Sequence, residues 1–172
     1  DIIVASGERS ALPHGLASPK IINAGELITV DFGAVYGGYC SDMTRTILFG
    51  EPTDKQSEIY TLVQTAQEMA LRSIRAGQKC AAADAIVRQY FQQQGYDAHF
   101  GHGLGHGVGL EVHELPTLAP GGQGVLQELM VFTVEPGLYI PEWGGVRIED
   151  LVVLRDDGVE ILTKSDKKLV CS

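Results

Sequence analysis

Three histidines threaded through glycine, in Gly101-His102-Gly103-Leu104-Gly105-His106-Gly107-Val108-Gly109-Leu110-Glu111-Val112-His113, are matched elsewhere in the chain by acids set in apolar runs. Asp31 closes Leu27-Ile28-Thr29-Val30, and Asp42 opens the run from Met43 to Leu48. Glu135 follows Val131-Phe132-Thr133-Val134, and Glu149 follows Val146-Arg147-Ile148. One carboxylate at a strand end is ordinarily a solvated turn residue. Four inside strand-like runs are costly to bury unless cations or strong donors neutralise them. Four carboxylates can balance two divalent ions, and an oxygen-rich set with one imidazole suits Mn, Co, Fe or Zn without choosing among them.

The elements that must position these groups are readable from period and punctuation. Residues 27–32 and 42–48 are rich in β-branched and aromatic residues and are bounded by Gly33, Gly37, Gly38 and Gly50, which predicts two strands. Thr53 with Gln56 three residues on is a capping-box pattern. Ile59, Leu62, Val63, Ala66, Ala70 and Ile74 then recur at helical spacing until Gly77. A second helix is expected over 81–94, stopped by Gly95, with Ala82, Ala85, Ile86 and Tyr90 as its apolar face. Strands are expected again over 108–112, 130–134, 146–154 and 159–162. Strands, two helices and more strands make an α+β sheet with helices on one face.

Two hairpins then bring the acids together. A turn centred on Tyr36-Gly37 pairs residues summing to 73 and sets Asp31 opposite Asp42. A turn centred near Glu142 sets Glu135 opposite Glu149. Directly opposed side chains are roughly 4.5–5.5 Å apart at Cβ, where like charges repel unless a cation lies between them. His106 and His113 are seven residues apart, an odd number that puts them on opposite faces of a flat strand, so a bulge or loop is required there. Arg147 and Glu149 share a face, so Arg147 is placed to orient and charge-pair a ligand carboxylate.

Composition sets the class. With 44% hydrophobic and 20% charged residues in 172, the chain suits one globular domain and not a disordered segment. A net charge of -9 disfavours nucleic acid or an anionic membrane as partner and favours cations. No apolar run approaches the roughly 20 residues that span a bilayer, and the start lacks a basic leader, so a cytoplasmic location is expected. Cys40, Cys80 and Cys171 are odd in number and irregularly spaced, which argues for reduced thiols. The glycines of 101–109 look superficially like a phosphate loop, but no Lys-Ser or Lys-Thr follows them, and a nucleotide site is excluded.

A wider pattern joins these pieces. Ala5-Ser6-Gly7 is followed by Ser10-Ala11-Leu12-Pro13-His14, Val30-Asp31-Phe32-Gly33, Ser41-Asp42-Met43-Thr44-Arg45-Thr46 and His102-Gly103-Leu104-Gly105-His106. Then come Val112-His113-Glu114, Val134-Glu135-Pro136-Gly137 and Arg147-Ile148-Glu149-Asp150. This order resembles the M24 metallopeptidases, and within them the Xaa-Pro group of prolidase (Xaa-Pro dipeptidase) and aminopeptidase P. The resemblance implies the pita-bread (creatinase/aminopeptidase) fold, a curved antiparallel sheet with helices on one face. It also implies one catalytic domain over 1–172, truncated at its N-terminus and without the separate N-terminal domain of that group.

The same resemblance implies a dinuclear centre in which Asp31 chelates one ion, Asp42 and Glu149 bridge both, and His106 with Glu135 completes the second. His14, His102 and His113 then contact substrate or stabilise the tetrahedral intermediate, and Glu135 shuttles a proton. The implied partner is a peptide with proline at its second position, with no nucleic acid or membrane involved and a homodimer expected of the full-length protein. Two other readings remain: a methionine aminopeptidase of the same fold, and a pita-bread binding module or fragment without catalysis.

Overall fold

A capping box opens the longer helix where the sequence predicts it. Thr53 Oγ1 accepts from Gln56 N at 3.3 Å and Gln56 Oε1 accepts from Thr53 N at 2.8 Å, so two of the orphan donors at the N-terminus of α1 (Asp54–Ser73) are satisfied reciprocally. The computed structural model describes residues 2–171, without the side chains of Val170 and Cys171. The reading of the Cys171 thiol therefore lies outside the described residues, whereas Cys40 and Cys80 are free thiols. The buried face of α1 holds Ile59, Val63, Ala66 and Ala70 as expected and adds Tyr60, Gln67 and Leu71.

The second helix, α2 (Cys80–Gln93), forms nearly where predicted but with a different face inward. Cys80, Ala83, Asp84, Val87 and Phe91 are buried in place of Ala82, Ala85, Ile86 and Tyr90. Phe91 decides this: it meets Phe100 edge-on, with ring centroids 5.3 Å apart, and buries more apolar area than the alanine face can. Among the described residues no helix is long and apolar enough to cross a membrane.

Strands β1 (Ile3–Ser6), β2 (Leu27–Phe32), β3 (Val35–Tyr36), β4 (Tyr39–Cys40) and β5 (Met43–Phe49) form the first half of the chain. β6 (Gly105–Gly107), β7 (Glu114–Leu118), β8 (Val131–Val134), β9 (Gly137–Ile140), β10 (Gly144–Arg147), β11 (Asp150–Arg155) and β12 (Gly158–Ile161) follow the helices, and β13 (Val170–Cys171) closes the chain. One sheet has the order β1-β2-β5-β13 and another β12-β11-β8-β6-β7, with β9 and β10 as a hairpin between them. All pairings are antiparallel except β5 with β13. Both helices lie against the second sheet, and α1 also against the hairpin, the expected α+β arrangement.

The first hairpin is shifted by two from the expected register. Leu27 pairs with Leu48 and Asp31 with Thr44, a sum of 75 and not 73. The turn falls on Gly37-Gly38, at φ 59° and 87°, because a two-residue turn of this hand needs positive φ at both positions and Tyr36 would be strained there. A shift of two keeps every side chain on its face. Asp42, just before β5, therefore stays on the side of Asp31, one diagonal step away.

The second hairpin is centred on Glu142 as predicted, and Glu142 itself takes φ 61°. Residues summing to 284 pair from Gly144–Ile140 to Arg147–Gly137, and again from Asp150–Val134 to Val153–Val131. The expected strand 146–154 is therefore two strands, parted at Ile148-Glu149, because Pro136 on the facing strand has no N–H to continue the ladder. Glu135 and Glu149 have the same sum and face each other across this interruption. Their own N–H groups point outward, Glu135 to Leu104 O at 2.8 Å and Glu149 to Thr44 O at 3.1 Å. Beyond the break β10 leans onto the first sheet, where Thr46 Oγ1 accepts from Arg147 N at 2.9 Å and donates to Arg147 O at 3.0 Å.

The expected strand 108–112 is a loop. β6 ends at Gly107, where the register against β7 slips, and Gly109 N donates to Glu111 O at 3.0 Å to turn the chain. Leu110 and Val112 are left exposed. Gly105 has a separate steric role, since a Cβ there would lie 2.0 Å from Thr133 O; only glycine lets β6 approach the strand that carries Glu135.

Candidate metal centre

The slip after Gly107 brings His113 back over His106, with ring centroids 4.1 Å apart. His106 Nδ1 is 3.1 Å from its own neighbour's carbonyl, Gly107 O, so that nitrogen carries a proton and Nε2 faces the acids. Nε2 lies 3.2 Å from Glu135 Oε1 and 3.7 Å from Asp42 Oδ2. Asp42, His106 and Glu149 each present one ligand atom, all within 4.8 Å of one another. Glu135 joins them through its contact with His106. Asp31 stands at the edge of the group, its Oδ2 taken by Arg147 Nη2 at 2.6 Å.

Arg147 is a site residue legible in the sequence, whereas the supporting hydroxyls of Thr44 and Thr133 are not. Thr133 Oγ1 accepts from His106 N at 3.0 Å and donates to Glu135 Oε1 at 2.9 Å. Thr44 Oγ1 accepts from Arg147 Nε at 3.0 Å and donates to Glu149 Oε2 at 2.5 Å. Arg147, buried, thus reaches Asp31 directly and Glu149 through Thr44. It also donates to Pro13 O at 3.1 Å, which ties the lead-in to His14 to the same centre. Thr44 and Thr133 each lie two residues from an acid on the same strand face, the one signal that could have found them.

His102 is held apart from this cluster. Its Nδ1 is 2.7 Å from Gly103 O and its Nε2 is 2.9 Å from Tyr139 Oη. Tyr139 accepts from Arg147 Nη1 at 2.8 Å, so its own proton goes to His102 Nε2, and Nδ1 donates to Gly103. A substrate group reaching a His102 nitrogen has to displace one of these partners. Beneath the loop, Asp84 Oδ1 accepts from Leu104 N at 3.1 Å, while Arg88 donates to Phe100 O at 3.1 Å and His102 O at 2.9 Å. The two also pair with each other, so α2 fixes a glycine-rich segment that has few side chains of its own.

The electrostatics of the cluster favour a cation. Burial, and then the charges of Asp31 and Glu135, push Asp42 up to about 6. Burial, and then Glu135 and Asp42, hold Glu149 well above the usual carboxylate range. Burial opposes the His106 imidazolium, yet the hydrogen bond and charge of Glu135 outweigh it and raise its pKa. Burial likewise works against ionised Glu135, but the His106 hydrogen bond and the charges of His102 and His106 bring its pKa down. Protons take up charge that converging carboxylates cannot bear alone. Carboxylate oxygens with one imidazole are a donor set that a divalent cation fits, and a cation would replace those protons.

Around the cluster lies a cavity of about 750 Å³ lined by His14, His102, His113 and the acids, with Leu16, Phe32 and Val35 as apolar wall. Its size suits a short peptide. His14 and His113 are exposed to it, while His102 is half-buried. Burial, and then the His106 charge, lowers the His113 pKa; burial lowers that of His102. Both are neutral imidazoles near pH 7.

The profile of metallopeptidase family M24 matches residues 1–156. The Xaa-Pro dipeptidase of Pyrococcus furiosus is 49% identical over 170 residues, which are 99% of this chain and 49% of that protein. The solved structure of an Xaa-Pro dipeptidase from Bacillus anthracis superposes with a TM-score of 0.97 at 55% identity, covering 99% of this chain and 48% of that one. An X-Pro aminopeptidase from Thermotoga maritima gives a TM-score of 0.96 at 48% identity, over 99% and 49% of the two chains. The chain spans about half the length of the curated relatives it matches.

Proposed function

Since this chain belongs to metallopeptidase family M24, we propose that residues 1–172 form the metal-holding part of the catalytic domain of an exopeptidase that cleaves the bond before proline. Its substrates are Xaa-Pro dipeptides or peptides with an N-terminal Xaa-Pro. The observation that carries this reading is the meeting of Asp42, His106 and Glu149 within 4.8 Å at the wall of a peptide-sized cavity. Hydrolysis of Ala-Pro and Ala-Pro-Ala with Mn or Co added, set against Met-Ala, tests it. Turnover of the proline peptides supports it; cleavage of Met-Ala alone makes the chain a methionine aminopeptidase.

Asp31, Asp42, His106, Glu135 and Glu149 would hold two divalent cations, which when bound supply Lewis acidity and acidify water near neutral pH. Glu135 is the proton carrier. As a carboxylate it can accept the proton of the attacking water, and the Thr133 hydroxyl on Oε1 fixes its orientation. The proton then passes to the nitrogen of the departing proline. His113, neutral and open to the cavity, keeps an N–H to donate to the carbonyl oxygen as charge develops there. Arg147 holds Asp31 at the edge of the centre, and its Tyr139 and Pro13 contacts fix the guanidinium.

Two results follow from these roles. His113→Ala is expected to lower kcat toward Ala-Pro by roughly a hundred- to a thousandfold, the worth of one oxyanion donor, with KM little changed. Arg147→Lys keeps the charge but loses the fork that serves Asp31, Thr44 and Tyr139 together. It should weaken Mn(II) binding by about 10–100-fold, read by titration of the metal-stripped chain.

A further inference from the structure

We infer that Gln67 is a positioning residue that replaces the backbone donor Pro136 lacks and so fixes the spacing of Glu135 and Glu149; this rests on the metal-site reading above. Ile148 N donates to Pro136 O at 3.3 Å. In an antiparallel pair of this kind the two residues exchange both bonds, but Pro136 has no N–H to return to Ile148 O. Gln67, fully buried on α1, supplies it. Its Nε2 is 3.2 Å from Ile148 O, 3.2 Å from Val134 O and 3.2 Å from Asp150 Oδ2.

The orientation of the amide is set from its other end, where Oε1 accepts from Lys167 Nζ at 2.8 Å. A flipped amide would face two carbonyls with an oxygen. Val134 O belongs to the peptide plane whose N–H is that of Glu135, and Ile148 O to the plane whose N–H is that of Glu149. Those N–H groups bond outward to Leu104 O and Thr44 O. Each peptide plane next to a ligand acid is thus held on its N–H side, and one side chain reaches the carbonyl of both. A leucine or methionine would fill the same volume on α1, so packing alone does not call for an amide there.

Gln67→Met keeps the shape and removes the donors, and Pro136→Ala returns an N–H to the ladder. The two single variants and the double variant of the metal-stripped chain are to be compared with wild type by thermal melting and by Mn(II) titration. Gln67→Met is expected to weaken Mn(II) binding 10–100-fold, and the double variant to regain most of that loss. Equal effects of Gln67→Met with Pro136 and with Ala at position 136, and unchanged Mn(II) affinity, would make Gln67 a packing residue and overturn the inference. If Gln67→Met does not fold, recovery of folding in the double variant supports the inference and its absence overturns it. Wild type that binds no Mn(II) refutes the metal-site reading instead, and the melting comparison still decides the role of Gln67: coupling to position 136 supports it, additivity rejects it.

Discussion

Asp42→Asn is expected to lower kcat/KM toward Ala-Pro by about a thousandfold or more, since water outside the field of a cation is a weaker acid by about nine pK units. Asp42 is one of the three residues whose ligand atoms lie within 4.8 Å of one another, and the isosteric amide removes its charge while keeping its volume. The same substitution should have the opposite effect on the stability of the metal-stripped chain. With its pKa pushed to about 6 from 3.8, Asp42 holds a proton in the folded chain that the unfolded chain has already released. Stability therefore falls as pH rises from about 4 to about 6, and the cost is fully in place above that. Asparagine has no such cost. Metal-stripped Asp42→Asn should melt above wild type at pH 8, and the gap should close by pH 4. A gap independent of pH would mean that Asp42 is not crowded by Asp31 and Glu135.

The second large effect is structural. Arg45, buried on β5, donates to Asp150 Oδ1 at 2.8 Å, to Glu149 O at 2.5 Å, and to Thr44 O, Ser165 O and Asp166 O. Removing one partner of a buried ion pair costs about 3–5 kcal/mol, chiefly because the other charge is stranded. Asp150 keeps Lys167 as a second partner, so Arg45→Met should fall at the lower end, about 3 kcal/mol, in denaturant melts. Because the same guanidinium holds the carbonyl of Glu149, metal affinity should fall with stability. Loss of stability with unchanged affinity would show that Glu149 is held by Thr44 and Gln67 without it.

What was legible in the sequence was local or strongly patterned. Thr53 and Gln56 are three residues apart, so their capping box needs nothing beyond the helix it starts. The second hairpin could be centred because Pro141 to Gly144 mark its turn, and its register carries unchanged through the break at Glu135 and Glu149. The first slipped by two because either glycine pair or Tyr36-Gly37 reads as a turn, and only positive φ at both positions separates them. The strand over 146–154 looked continuous because the proline that interrupts it lies on the facing strand. The inward face of α2 is not legible because Ala82, Ala85, Ile86 and Tyr90 form a regular stripe, while the burial of Asp84 depends on Arg88 and the backbone of 100–104.

The expected ligands fall in one place because histidines and acids in apolar runs advertise themselves. The residues that hold them do not. Thr44, Thr133, Tyr139, Gln67 and Arg88 are ordinary polar residues in their own elements, and their roles come mainly from partners distant in sequence, or, for Thr133, from an acid two residues along the strand whose importance is itself tertiary.

The metal stoichiometry of the 172-residue chain, stripped and then titrated with Mn(II), decides whether these residues form a dinuclear centre. About two ions bound per chain, falling to one or none in Glu149→Gln, is the predicted result. No saturable binding by wild type, or binding that Glu149→Gln leaves unchanged, would contradict it.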